Sequence, residues 1–244
     1  MRSPAGELAF GPLPSRRLGR SLWVNNVPYK TCTYSCVYCQ LGRTTNLAVK
    51  RKCFYDWKSV VGVAEALSRL RGGVDYVTFV PDGEPTLDSC IGREIAELKE
   101  RSGVRVAVLT NASLLQLEEV RGDLAQADYV SVKVDAVNEG VWRRVNRPHP
   151  SLKLEEILES ALEFARSFRG ALTSETMLVR DFNTDLSELE RIAGFLRELR
   201  PAKSYISIPV SRPRSPPPNP LRRGRLWKLT APSRGFLAPR KWSC

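Results

Sequence analysis

Three of the six cysteines in this 244-residue chain lie within eight residues of one another, as Cys32, Cys36 and Cys39. The spacing of three intervening residues and then two places three thiol groups on one short loop. Thiolates from short cysteine runs of this kind hold [4Fe–4S] clusters. Three thiolates would hold three of the irons and leave the fourth without a protein ligand, and chemistry would occur at that open iron.

The spacing by itself leaves other interpretations of this loop open. A structural zinc site requires four closed ligands, commonly arranged as Cys-x2-Cys pairs, and the only histidine, His149, lies 110 residues beyond Cys39. A disulfide or free thiols with a structural role are further alternatives, although the cysteines are unevenly spread and no secretion signal is visible. The spacing favours the cluster, and the context of the motif must then agree.

A second motif, Asp82-Gly83-Glu84-Pro85-Thr86-Leu87, begins 43 residues after Cys39, at the end of a predicted strand. Together with Tyr38 just before the third cysteine, the two motifs resemble those of the radical S-adenosylmethionine (radical SAM) superfamily. In that superfamily a Gly-Gly-Glu motif holds the amino group of the methionine moiety of SAM. The resemblance covers residues 9–212.

The resemblance assigns a role to each candidate site residue. Cys32, Cys36 and Cys39 match the ligands of the [4Fe–4S] cluster. The cofactor-binding candidates are Tyr38 for the adenine, Gly83 and Glu84 for the amino group, and Asn111, Ser131, Lys133 and Asp135 for the ribose and the carboxylate of SAM. Glu175, Arg180 and His149 are weaker candidates, and the arginines of residues 15–20 either lie on a solvated surface or bind an anion.

The implied activity is that of a radical SAM enzyme. The cluster would supply one electron to bound SAM, and reductive cleavage would give methionine and a 5′-deoxyadenosyl radical that abstracts hydrogen from a substrate. Such an oxidoreductase implies an electron donor of the flavodoxin or ferredoxin type, and RNA or a protein are possible substrates. An iron–sulfur or zinc binding module without catalysis is the alternative from a different class of function, and an inactive remnant is a third.

Two further segments resemble one particular group within the superfamily. Residues 11–21 and 146–150 look like those of uncharacterised radical SAM proteins described as iron–sulfur oxidoreductases. That group is related to wyosine-forming tRNA enzymes, which carry extra N-terminal cysteines for a second cluster. This chain has no cysteine before Cys32. A core-only glycyl-radical activase is another alternative. The remaining cysteines form no second close-spaced set, and Cys90 is most simply a buried small residue.

Apolar, β-branched runs alternate with segments of helical periodicity along most of the chain. Strands are predicted near residues 21–27, 75–80, 104–109, 129–134, 172–179 and 204–208, and helices near 56–71, 90–101, 113–121, 152–168 and 186–199. Six strands that alternate with helices predict an α/β fold, a partial (β/α)6 radical SAM barrel with parallel strands. The candidate site residues fall at or near the carboxyl ends of these strands, where such folds place their active sites.

The ends of the chain differ from this core. Residues 1–20 are predicted to be an irregular arm, residues 21–208 the core domain, and residues 209–244 an irregular, basic, Pro/Arg-rich tail that is disordered. The net charge is +12, but the tail contains nine Lys or Arg and no acidic residue, so the rest is close to neutral. A nucleic-acid surface is thus only weakly indicated.

The sequence also bears on the compartment. It contains no run of 18 apolar residues, so no transmembrane helix and no membrane partner are expected. Residues 1–7 lack the apolar stretch of a signal peptide. Cysteines without a paired framework favour a reducing compartment. We therefore expect a cytoplasmic protein.

Overall fold

The computed structural model describes residues 8–71, 73–80 and 82–209. Its strands are β1 (Ala9–Ser15), β2 (Gly19–Val24), β3 (Thr31–Cys32), β4 (Asn46–Leu47), β5 (Tyr76–Phe79), β6 (Arg105–Thr110), β7 (Tyr129–Lys133), β8 (Ala171–Met177) and β9 (Lys203–Ser207). Its helices are α1 (Trp57–Arg71), α2 (Ile91–Ser102), α3 (Glu118–Leu124), α4 (Glu139–Asn146), α5 (Leu154–Ser167) and α6 (Leu186–Leu199). The predicted tail lies outside the described residues.

The main sheet has the strand order β1-β2-β5-β6-β7-β8-β9. From β2 to β9 every neighbouring pair is parallel. These six parallel strands are the six that the sequence predicts, and the partial barrel is confirmed. The short strands β3 and β4 pair separately and carry the start of the cysteine loop.

Strand alternation separates the two faces of this sheet. Apolar residues such as Val77, Phe79 and Val108 are fully buried in the main core, where helical residues such as Ile95 join them. The concave face instead carries Tyr76, Ala107, Leu109 and Tyr129, together with polar side chains. Burying a large apolar side chain contributes roughly 1.5–3 kcal/mol, so the helix-covered face supplies most of the stability and leaves the concave face available for function.

In its described part, residues 8–20, the N-terminal arm is not irregular, which corrects the sequence prediction. Residues 9–15 form β1, which pairs antiparallel with β2 at the edge of the sheet. Proline has no backbone N–H to donate, so it is excluded from a strand that is hydrogen-bonded to a neighbour on both sides. A strand at the edge of a sheet tolerates it. The register is also interrupted between Phe10 and Leu13, around Pro12. Two prolines therefore led the sequence interpretation to miss a real strand.

The structure also differs from the prediction at two helices. Residues 113–116 form turns, and α3 begins only at Glu118 rather than at residue 113. The helix α4 was not predicted at all, because it has only eight residues and follows a polar loop. The side chain of Asn138 caps α4 by accepting a hydrogen bond from the Val141 N–H at 3.1 Å, an arrangement that favours helix initiation.

The turn between β1 and β2 (residues 16–18) reaches across the concave face. Leu18 is buried against Ala107 and Tyr129. Arg17 forms an ion pair of 3.2 Å with Glu175 on β8, and its guanidinium lies 4.1 Å from the ring centroid of Tyr205 on β9. This turn thus connects one edge of the curled sheet to the other across its concave face.

None of the helices in the described part of the chain combines the length and the apolar character that a membrane span requires.

Candidate cofactor site

The cysteine loop is held from two sides. On one side, Thr44 donates to the carbonyl of Tyr34 at 2.7 Å. On the other side, the segment after α4 runs antiparallel along the loop, with a bridge between Tyr34 and Pro148. The N–H of Ser35 donates to the Asn146 carbonyl at 3.0 Å. These contacts give the loop a defined shape that its short sequence could not maintain alone.

The three cysteines and the Gly-Glu-Pro turn line one cavity of about 140 Å³. Cys32, Cys36 and Cys39 are free thiols on one wall. Asp82 and Gly83 line the same cavity. The structure therefore brings two separate motifs of the sequence to one place.

The sulfurs of this loop are widely spaced. Among the described residues, Cys53, Asp88 and Cys90 are the set whose potential ligand atoms all lie within 4.8 Å of one another, and the three loop cysteines do not form such a set. Two thiolates on one zinc ion at about 2.3 Å cannot be more than about 4.6 Å apart. In this conformation the three loop sulfurs are therefore not arranged as ligands of one zinc ion.

The protein surroundings keep these thiols neutral. Burial raises the pKa of Cys36 to about 12, and the negative charge of Asp135 adds to the effect. Burial, Glu84 and Cys36 raise the pKa of Cys32 well above its ordinary value. Burial also raises the pKa of Cys39. Three thiolates here require compensating positive charge, which metal ions supply when they deprotonate coordinating thiols.

The Gly-Glu-Pro turn is packed directly against the cysteine loop. The Glu84 N–H donates to the Thr31 carbonyl at 3.0 Å, and the Lys30 N–H donates to the Asp82 carbonyl at 2.7 Å. A Cβ atom on Gly83 would lie 1.9 Å from the Thr31 carbonyl oxygen. A glycine is required at position 83 because the backbone of the cysteine loop occupies that space.

The Glu84 carboxylate is buried and bonded within the protein. It accepts hydrogen bonds from the Thr86 hydroxyl at 2.6 Å, the Thr110 hydroxyl at 2.6 Å, the Asn111 N–H at 2.8 Å and the Thr86 N–H at 3.2 Å. Burial raises the pKa of this carboxyl, and these four hydrogen bonds oppose the rise. In this structure Glu84 thus joins the turn to the end of β6, whereas the sequence interpretation gave it an ammonium contact.

A second polar group lies at the ends of β7 and β8. The Lys133 ammonium is 3.9 Å from Asp135 and 3.9 Å from Glu175, and 5.0 Å from the ring centroid of Tyr38. The Tyr38 hydroxyl donates to Asp135. Burial opposes ionisation of Glu175, but Lys133 and Arg17 hold its pKa below its ordinary value. Tyr38, Lys133 and Asp135, predicted separately, are thus neighbours.

The other predicted residues lie in different surroundings. The Asn111 amide donates to the Thr33 hydroxyl at 2.7 Å and therefore supports the cysteine loop. Ser131 is buried on the concave face, two residues before Lys133. The ring of His149 contacts Ser151 at 2.8 Å rather than the cavity. Arg180 is exposed after β8.

Sequence reasoning missed Arg51 and the pairing of two cysteines. The Arg51 side chain donates to the carbonyls of Thr86 at 2.8 Å and Asp88 at 3.0 Å, and so supports the Gly-Glu-Pro turn. Cys53 and Cys90 form a disulfide beside it. Cys90 is therefore not a buried free residue, and the argument that the cysteines lack any pairing was wrong. No local pattern signals this bond, because its cysteines are 37 residues apart.

The family model of the radical SAM superfamily matches residues 26–196. This chain therefore belongs to the radical SAM superfamily. It is also similar to the UPF0026 protein MJ1312 of Methanocaldococcus jannaschii, with 43% identity over 208 residues, which cover 84% of this chain and 64% of that protein. The chain thus spans less than two thirds of that relative. The resemblance to wyosine-forming enzymes stays a prediction.

Solved structures show the same fold at low identity. A radical SAM methyltransferase from Sphaerobacter thermophilus gives a TM-score of 0.54 at 17% identity and covers 77% of this chain and 55% of its own. The protein described as anSMEcpe with bound AdoMet gives a TM-score of 0.56 at 13% identity and covers 78% of this chain and 51% of its own. These matches agree with the partial barrel described above.

Proposed function

We propose that this chain is a radical SAM enzyme that binds a [4Fe–4S] cluster and S-adenosylmethionine and acts by hydrogen abstraction from its substrate. The observation that carries the proposal is the shared cavity, where three free cysteines face the turn of the second motif. Superfamily membership and a structural neighbour described with bound AdoMet support it.

The donor set fits a cluster better than a zinc ion. The loop offers three thiols, and iron–sulfur clusters are held by cysteine thiolates. The three loop sulfurs do not all lie within 4.8 Å of one another, which does not match the ligand arrangement of a single zinc ion. When bound, the cluster would supply the electron that cleaves the sulfonium of SAM to methionine and a 5′-deoxyadenosyl radical. Cys32, Cys36 and Cys39 would hold this cluster.

The remaining residues would bind and orient SAM. Asp82 and Gly83 of the turn line the cavity, and backbone carbonyls of this turn would suit the ammonium group of the methionine moiety. Lys133 suits its carboxylate, because its own contacts are 3.9 Å long and its side chain is 22% exposed. Tyr38 would meet the adenine. A ribose contact at Asp135 requires Tyr38 to move, since the carboxylate already accepts its hydroxyl.

The decisive experiment is anaerobic reconstitution with iron and sulfide followed by electron paramagnetic resonance (EPR) after dithionite reduction. We expect a [4Fe–4S]⁺ signal that changes when SAM is added, with 5′-deoxyadenosine formed in the same sample. A protein that retains zinc, or a cluster whose signal ignores SAM, would instead support a binding module without catalysis or an inactive remnant.

Serine replacements test whether the three loop cysteines, and not the others, bind iron. Cys32→Ser, Cys36→Ser and Cys39→Ser should each reduce the iron bound per chain and abolish the SAM-dependent change in the EPR signal, because a thiolate ligand is lost. Cys53→Ser is the matched control, since its sulfur lies in the disulfide and not in the cavity. Equal losses in all four variants would contradict the assignment.

The proposal extends to the partners. We infer an electron donor of the flavodoxin or ferredoxin type, because reductive cleavage requires one low-potential electron for each SAM. A cytoplasmic location would supply such donors, and a macromolecular substrate, RNA or a protein, is the substrate class expected from the resemblance. Reduction of the reconstituted cluster by flavodoxin with its reductase, monitored by EPR, tests the donor.

A further inference from the structure

Asn146 occupies an unusual place beside the cysteine loop. It is the last residue of α4, and Arg147 follows it in a left-handed conformation with φ of 47°. The side chain is buried, with 2% exposed. The turn at Arg147 directs the following residues along the loop and holds the Asn146 amide beneath the cysteines.

The side-chain amide of Asn146 contacts three groups of the candidate site. Its Nδ2 atom lies 3.5 Å from the sulfur of Cys36, 2.8 Å from an Asp135 oxygen and 3.4 Å from the Tyr38 hydroxyl. A buried amide has two N–H groups to donate. When Cys36 holds the proposed cluster as a thiolate, the strongest acceptors here are the Asp135 carboxylate and the Cys36 sulfur, so each can receive one of them.

We propose that Asn146 is a positioning residue that donates an N–H···S hydrogen bond to Cys36 and thereby makes the cluster easier to reduce. Hydrogen bonds to the sulfurs are one of the determinants of the reduction potential of iron–sulfur clusters. Reduction adds negative charge to the cluster and its thiolates, and the positive end of the amide dipole stabilises that charge. This inference rests on the proposed cluster and adds a residue that the family motifs do not include.

The neighbouring groups strengthen the effect. Asn146 also donates to Asp135, whose negative charge faces Cys36. Without the amide, this carboxylate would lose a donor and its charge would act more strongly on the sulfur. Both consequences make reduction harder. Asn111 holds a similar but longer contact, 3.6 Å to Cys32, while its shorter bond goes to Thr33.

The test is a redox titration of the reconstituted cluster without SAM, monitored by EPR. Asn146→Leu removes the amide while keeping a side chain branched at Cγ, and we expect its midpoint potential to shift to more negative values than in the wild type. Asn183→Leu is the matched control, because Asn183 is an equally buried amide that donates to the carbonyls of Asp135 and Met177. Its midpoint should match that of the wild type.

A second measurement needs no variant at position 146. In wild-type protein labelled with 15N-asparagine, electron–nuclear double resonance of the reduced cluster should detect a coupled asparagine nitrogen and an exchangeable proton. Both signals should persist in Asn111→Leu, which removes the other amide near a sulfur. This measurement decides the question if Asn146→Leu does not bind iron.

The outcomes separate this inference from the proposed function. A wild-type protein that forms no cluster overturns the proposed function. A wild-type cluster that responds to SAM, with an unchanged midpoint in fully loaded Asn146→Leu or with no asparagine coupling, overturns only the role of Asn146.

Discussion

Gly83→Ala should unfold the junction between the two cofactor motifs and prevent cluster assembly. The new Cβ atom would lie 1.9 Å from the Thr31 carbonyl oxygen and 3.0 Å from a methyl carbon of Val27. The cysteine loop must then move away and lose its hydrogen bond from the Glu84 N–H. Overpacking and the lost bond together predict about 2–4 kcal/mol less stability. Chemical unfolding and iron content after reconstitution measure both effects.

Gly62→Ala provides the matched control for that substitution. Gly62 lies within α1, and a Cβ atom there would meet nothing within 4 Å. Alanine should stabilise the helix by about 0.5–1 kcal/mol and leave the iron content unchanged. Normal stability and iron content in Gly83→Ala would show that the cysteine loop and the turn are not as closely packed as described.

Glu84→Gln should be the second strongly destabilising change. The Glu84 carboxylate is the acceptor in all four of its hydrogen bonds, and the donors belong to Thr86, Thr110 and Asn111. An amide NH2 group must face at least one of these donors, which leaves a buried N–H or O–H group unsatisfied at a cost of about 1–3 kcal/mol. We expect lower stability together with weaker SAM binding, because the turn loses its anchor on β6.

Glu94→Gln is expected to act in the opposite direction and serves as the control. Glu94 is also fully buried, but neither carboxylate oxygen has a hydrogen bond of standard geometry. Burial raises its pKa to about 9, with a further contribution from Asp88, while the nearby Asn26 amide partly opposes the rise. Glutamine resembles the neutral acid that the folded protein prefers, so this substitution should not destabilise the fold.

The sign of the pH dependence follows from this pKa. A carboxyl with a raised pKa stabilises the fold fully below its unfolded pKa, and this contribution is lost as the pH rises toward about 9. Glu94→Gln should therefore equal the wild type near pH 4 and exceed it by roughly 3 kcal/mol at pH 7. Urea unfolding at several pH values measures the difference. A constant difference across this range would mean that Glu94 is ionised in the folded protein.

Local patterns predicted the parts of the site that depend on local sequence. The spacing of Cys32, Cys36 and Cys39 identified the candidate cluster-binding loop, and the β-branched runs identified six parallel strands. The order of those strands then followed from the rules of βα units. Strand β1 was not predicted because its prolines suggested irregular structure. Proline is excluded only from a strand that is paired on both edges.

The rest of the site depends on contacts between distant residues. Asn111 was predicted at a strand end, but its bond to Thr33 depends on how the cysteine loop folds back across 78 residues. Asn146 was part of a recognised segment, yet nothing in that segment shows that its amide reaches Cys36, 110 residues earlier. The same is true of Arg51 and of the disulfide. Spacing predicts which residues are candidates, and tertiary packing decides what each one contacts.

The turn between β1 and β2 has a consequence for the curvature of the sheet. Strands β1 and β2 lie at one edge of the sheet and β9 at the other, and Arg17 joins the two edges through its ion pair with Glu175 and its contact with the Tyr205 ring. The backbone hydrogen bonds of an open sheet leave the distance between its edges unfixed, so this contact restrains how far the sheet can open.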